Sequence, residues 1–293
     1  MATITAGMVK ELRERTGLGM MDCKKALSAA EGDMEKAIED LRKSSGMKAA
    51  KKAGRVAAEG IVVIKIAEDG NYGVILEINS ETDFVSKDAN FLDFTQQTLD
   101  LAYANRDADV AALLDAGVEL AREKLVQKVG ENINVRRVDR LNFDDANQGI
   151  VESYVHSNSQ IGVIIALRGG DETLARDIAM HIAAVNPLVV RKEDVPADVI
   201  AKESEIYSAQ ARESGKPEEI IEKMISGRLN KFVAEVSLME QQFVKNPDVK
   251  ISGLLKDAGA DIVNFIRYEV GEGIEKVEVD FADEVAAQVN GGS

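Results

Sequence analysis

One segment of the chain occurs twice. "GIVVIKIAEDGNYGVILEIN", from Gly60 to Asn79, aligns without a gap to "GIVESYVHSNSQIGVIIALR", from Gly149 to Arg168. Gly60, Ile61, Val62, Gly73, Val74 and Ile75 recur as Gly149, Ile150, Val151, Gly162, Val163 and Ile164. An internal repeat constrains the architecture more than any single residue, because one framework must be built twice. Each copy reads as two strands rich in β-branched residues, joined by a polar turn that holds Asp or Asn. So short a turn makes the strand pair antiparallel. A helical pattern follows each copy: Phe91, Phe94, Thr98 and Leu101 in the first, Leu174, Ile178, Ile182 and Val185 in the second. "NINVRRV" (Asn132 to Val138) and "IVNFIRYEV" (Ile262 to Val270) supply one more strand each, after a longer path in the second copy.

The predicted fold class is therefore α+β, with a duplicated antiparallel core at 60–140 and 141–197 that is completed at 237–279. Residues 1–45 read as three short helices. Val9 and Leu12 share a face before Thr16-Gly17, where glycine suits a helix stop. A second helix runs from about Asp22 to Ala30, and a third carries Ile38 and Leu41. Leu18, Met20 and Met21 either plug this small core or form a contact surface, a use to which Met adapts well. Residues 46–59 read as a basic linker, since "RKSSGMKAAKKAGR" from Arg42 to Arg55 holds six bases and no acid. It is either a solvated connection or an electrostatic contact.

The extra length of the second copy has a candidate at 198–236. Asp198 to Glu213 forms a polar helix with Val199 and Ile206 on one side. After a turn ending at Pro217, a second helix carries Ile221, Ile225, Phe232 and Val236 along one stripe. The two make an inserted antiparallel helical hairpin. Asp280 to Val289, within 280–293, reads as a short C-terminal helix.

Composition then removes several classes of function. No apolar run approaches the ~20 residues that cross a membrane. The stretch from Met1 to Gly17 has no apolar segment of the secretory type. The single cysteine, Cys23, allows no internal disulfide, and a cytoplasmic location is expected. Net charge is −15, which disfavours free nucleic acid as a partner. One Cys and two His, His156 and His181, offer no metal-ligand spacing. Neither a phosphate loop nor a dinucleotide fingerprint occurs, so no cofactor and no directly bound nucleotide are expected. Carboxylates are abundant, but no pair is marked for acid–base chemistry. A protein that acts by contact, not an enzyme, fits best.

The contact has a candidate in "EINSETDFVSKDANF", Glu77 to Phe91, where Asp83 and Phe84 stand side by side as a strand gives way to a loop. Extending the repeat without gaps sets Asp83 against Glu172 and Phe84 against Thr173. The second copy has no ring there, which separates Phe84 from the needs of the framework. A ring folded back onto its own sheet is the competing reading. An exposed Phe can fill a partner's pocket as an aromatic anchor.

"LRERTGLGMMDCKKAL", Leu12 to Leu27, and "EINSETDFVSK", Glu77 to Lys87, resemble the two signatures of the bacterial elongation factor Ts family. The resemblance spans the whole chain. It implies nucleotide exchange on elongation factor Tu, the GTPase that delivers aminoacyl-tRNA. It implies that the N-terminal bundle resembles a ubiquitin-associated (UBA-like) fold and docks on the GTPase domain, with Leu18, Met20 and Met21 at the contact. Thr82, Asp83, Phe84 and Val85 match the motif that intrudes between two helices of that domain, close to its magnesium site. His181, in "MHIAAVNP", matches a position facing a different domain. Its neighbours Leu174, Ile178 and Ile182 make a packed core histidine the alternative.

Three rival readings remain. Lys48, Lys51, Lys52 and Arg55 are the residues a nucleic-acid or ribosome-binding protein would use, against the acidity of the chain and its lack of interleaved aromatics. Scattered carboxylates are all that an enzyme reading has. A passive scaffold would grip through the helical hairpin, which also leaves pairing with a second copy open.

Overall fold

The two repeats build two three-stranded antiparallel sheets that pack face to face, each covered on its outer side by helices. The computed structural model describes residues 4–143, 149–213 and 217–275. Helices α1 (Ala6–Thr16), α2 (Met20–Ala29) and α3 (Met34–Lys52) come first. The first copy follows as β1 (Glu59–Ile66), β2 (Tyr72–Ser80), α4 (Ala89–Ala104), α5 (Val110–Leu113), α6 (Glu119–Val129) and β3 (Asn134–Asn142). The second comprises β4 (Ile150–Val155), β5 (Ile161–Arg168), α7 (Glu172–Val185), α8 (Ala197–Arg212), α9 (Glu218–Val236), β6 (Gln242–Phe243), β7 (Asn246–Lys250), α10 (Ile251–Asp257) and β8 (Asp261–Glu269). The sheet orders are β1-β2-β3 and β4-β5-β8, with β6 and β7 as a small separate hairpin.

Strand β2 is buried on both faces, which explains its nearly continuous apolar run. Side chains alternate across it. Val74, Leu76 and Ile78 pack toward Phe91, Phe94 and Leu99 of α4, while Ile75 turns to the other sheet. In β5, Val163, Ile165 and Leu167 pack on Ile178 and Ile182 of α7, while Ile164 and Ala166 turn inward.

The repeated residues are the seam between the sheets. A Cβ on Gly73 would stand 2.8 Å from Val151 Cγ1, and one on Gly162 would stand 2.5 Å from Val62 Cγ1. Each copy's glycine thus makes room for the other copy's valine. The backbone repeats the exchange: Val62 N–H donates to Ser159 O (2.8 Å) and Val151 N–H to Gly70 O (2.6 Å). Such reciprocity is the mark of a two-fold interface, here formed within one chain.

One end of the seam is polar. The Glu77 carboxylate is fully buried. It accepts hydrogen bonds from Arg136 Nη1 (2.9 Å), Arg137 Nε (2.5 Å), Asn79 Nδ2 (3.0 Å) and the Gly271 N–H (2.9 Å). Burial opposes its ionisation, yet the Gly271 N–H, Arg136, Asn79 and the charge of Arg137 together hold it below the ordinary carboxylate range. Arg137 also stacks on Tyr268, whose hydroxyl donates to Asp139 (2.6 Å), so β2, β3 and β8 are joined.

The N-terminal bundle closes over Leu12, Leu18, Cys23, Leu27, Ala37 and Leu41. Thr5 and Asp33 cap α1 and α3, and Gly17 ends α1 in the left-handed region. Residues 46–59 are not a linker throughout, because α3 continues to Lys52. Ala49 and Ser45 are buried, Ala49 as part of the first copy's core, and the Lys52 ammonium bonds Gly130 O. Small residues among the lysines let this helix lie on α6, so charge alone misjudged it.

Helices α8 and α9 form the expected hairpin, with only Ala211 and Ile221 buried among their described side chains. The expected C-terminal helix at Asp280 to Val289 lies outside the described residues. Elements β6, β7 and α10 were not anticipated. The strands are too short to show a period, and Pro247 in β7 reads as a loop signal.

Candidate partner interface

The chain leaves β2 through Glu81–Asp88, a loop containing a single 3-10 turn, Val85–Lys87. The second copy leaves β5 through Gly169–Asp171 alone, and its helix is capped by Asp171 as α4 is capped by Asp88. The gapless pairing of Phe84 with Thr173 therefore fails past the strands, because the first copy carries an insertion. Phe84 has no counterpart at all.

Phe84 is 82% exposed. Its backbone is ordinary right-handed helix (φ −66°, ψ −46°), so the display of the ring stores no strain. Leaving it in water forgoes about 1.5–3 kcal/mol of burial. Asp83 beside it accepts from Lys87 Nζ (2.7 Å), and that hydrogen bond holds its carboxyl below the usual range. Thr82 and Val85 turn the other way. Val85 packs on the first copy's core. Thr82 is tied to Glu131 through its N–H (3.0 Å) and its hydroxyl (2.7 Å). Two residues of the motif thus face outward and two serve as anchors. Glu131 escaped the sequence reading because nothing in its local pattern points to a loop so distant in the chain.

Met20 and Met21, on the first turn of α2, are 62% and 66% exposed. Leu18 is a correction: it is buried in the bundle, within reach of Cys23, and presents no surface. Lys128 of α6 brings the two motifs together. Its ammonium lies against Gly17, just before Leu18, and donates to Asn90 Oδ1 (2.5 Å) at the start of α4. The turn before α2 and the start of α4 therefore meet at one lysine.

His181 is also a correction. It is wholly buried, with Nε2 3.0 Å from Gln241 Oε1 and Nδ1 accepting the Val244 N–H (3.3 Å). Because Nδ1 accepts, the proton resides on Nε2, which donates to Gln241. Burial lowers its pKa more than the Gln241 bond raises it, so the ring is neutral. It is the packed core histidine of the alternative reading, pinning the chain after α9 to α7. The exposed apolar residues beside it are Val185, one turn along α7, and Val244. Single exposed valines carry too little signal to be found by sequence.

Among the described residues no group of His, Cys, Asp and Glu is arranged to hold a metal ion, and no helix is long and apolar enough to cross a membrane.

A family model described as Elongation factor TS matches residues 81–272, a span that begins at the first residue of the exposed loop. Elongation factor Ts of Hahella chejuensis is 63% identical over 291 residues, covering 99% of this chain and 100% of that protein. Those of Saccharophagus degradans and Marinobacter nauticus are each 59% identical, covering 98% and 100% of this chain and 98% and 99% of their own lengths.

Proposed function

The chain belongs to the elongation factor Ts family, and from that premise we propose that it is a guanine-nucleotide exchange factor. It binds elongation factor Tu in its GDP-bound state in the cytoplasm and hastens GDP release, supporting translation elongation. The exposure of Phe84 on an inserted loop carries this reading.

Phe84 enters between two helices of the GTPase domain near its magnesium site, with Asp83 beside it. Magnesium demands nearly ideal octahedral geometry at ~2.0–2.1 Å. A ring that shifts one helix slightly spoils that geometry, and GDP loses metal-mediated stabilisation. The chain performs no covalent step and binds no nucleotide itself. Factor and nucleotide weaken each other's binding by the same factor, so incoming GTP later displaces the factor. Met20 and Met21 of the UBA-like bundle supply affinity for the same domain. The surface around Val185 and Val244, shaped from behind by His181, meets a second domain, and residues 280–293 add a further contact.

The test is release of fluorescent GDP from elongation factor Tu. Phe84→Ala, which removes an exposed side chain, should leave the thermal midpoint unchanged. It should lower the maximal release rate roughly ten- to thirtyfold, the scale of an interface hot spot. Full stimulation by that folded variant would remove the wedge.

A further inference from the structure

We infer that Glu131 is a positioning residue for exchange, holding the Phe84 turn through Thr82, an inference that rests on the role proposed for Phe84. Both oxygens of Glu131 are committed to Thr82: Oε2 accepts the backbone N–H at 3.0 Å and Oε1 accepts the hydroxyl at 2.7 Å. With its proton directed to the carboxylate, the Thr82 hydroxyl has a lone pair left for the Val85 N–H, at 3.4 Å. That amide opens the 3-10 turn on which Phe84 is mounted. The order of dependence is Glu131, then the Thr82 rotamer, then the turn, then the ring.

The adjoining residues make a second rung. Glu81 Oε1 accepts the Asn132 N–H (2.5 Å), and Asn132 Nδ2 donates to Arg55 O (2.9 Å) at the exit of α3. Ser80 Oγ donates to Thr82 O and Ser86 Oγ to Asp83 O, each at 2.8 Å. The loop is thereby fixed at its base, while Asp83 and Phe84 remain free to meet a partner.

The second copy indicates what the brace is for. There the same junction, between the end of β5 and the start of β8, brings Gly169 and Gly259 together so closely that a Cβ on Gly169 would stand 2.5 Å from Gly259 O. The framework closes this junction by close backbone approach at glycine, and the carboxylates there, Asp171 and Asp261, bond the Leu174 N–H and Arg191 and do not brace the crossing to the start of β8. Glu131 accompanies the loop, and the strand pairing does not require it.

The experiment compares Glu131→Ala, Glu131→Gln, Phe84→Ala and the double variant Phe84→Ala/Glu131→Ala in the full chain. Amide hydrogen exchange is measured on the free chain and fluorescent-GDP release on its complex with elongation factor Tu. Glu131→Ala should speed exchange at the Val85, Ser86 and Lys87 amides, with those of α7 unchanged. Its maximal release rate should fall roughly three- to tenfold, while the concentration giving half-maximal stimulation moves less than about twofold. Glu131→Gln, which keeps one acceptor oxygen, should recover most of the rate. The double variant should be no slower than Phe84→Ala, because a brace without its ring has nothing to position. Unaltered exchange at the three amides, or losses that multiply in the double variant, would overturn the inference. Wild-type release by Phe84→Ala alone would instead overturn the wedge, and the amide measurement would still report on the brace.

Discussion

In the first copy of the repeat the chain crosses from sheet to helix through Glu81–Asp88, and in the second it crosses through Gly169–Asp171. The strands on either side are nearly interchangeable: Gly73 and Gly162 receive Val151 and Val62, and the Val62 and Val151 amides bond opposite turns. Even the seam has asymmetric positions: Glu77 of the first copy corresponds to Ala166 of the second, both buried, and Ile64 to Ser153. The first copy bears a polar joint and a displayed ring. The second bears the hairpin α8–α9 and a buried histidine. The glycines and valines at the centre of the seam are held in common, because a change there must suit two surfaces. Residues facing away are released from that constraint and carry the specialisation.

Substitutions at matched positions break or sharpen this contrast. The largest expected effect on stability is at Glu77. Glu77→Ala leaves Arg136, Arg137 and the Gly271 N–H facing a void and should cost about 3–5 kcal/mol in urea unfolding. A loss no greater than that of an exposed alanine variant would mean that the polar joint does not hold the sheets. Next come Gly73→Val and Gly162→Val, each forcing a side chain into the opposing valine. Each should cost about 1–3 kcal/mol, and the two costs should be similar. A large cost at one and none at the other would contradict reciprocal packing.

Acid unfolding resolves a smaller contribution. Glu77 is held below the ordinary value near 4.5 when folded, so its stabilisation is complete above that value and is lost as pH falls through the lower folded one. The stability of Glu77→Gln should therefore depend less on pH than that of the parent below about pH 4.5. Parallel curves in that window would refute the assignment. The smallest effect is expected from Lys87→Ala. Its ion pair with Asp83 is solvent-exposed, so the thermal midpoint should not move. Any change would appear in GDP release, through the orientation of Asp83.

The duplicated strands, their antiparallel pairing, the hairpin and the helices after each copy were all legible, since each rests on a period running through many residues. Phe84 was legible by a different route, as a ring that the second copy lacks. The reason it stands out, an inserted turn, was hidden because a gapless comparison cannot register a change of length. Three features escaped for physical reasons. Ser45 and Ala49 of α3 are buried in a run of basic residues, so charge masked packing. His181 lies on the apolar face of its helix, and only the fold shows Gln241 and Val244 meeting both of its nitrogens. Glu131 acts across a separation in the chain that no local pattern spans.

Joining the two sheets in one polypeptide has a consequence for how the molecule fares at low abundance. Two separate subunits sharing such a seam would part on dilution, whereas tethered partners experience an effective concentration on the order of millimolar at any dose. The duplicated fold thus keeps the permanence of a dimer without its symmetry. One half can carry the displayed ring and the other the helical hairpin, and neither specialisation has to be tolerated twice.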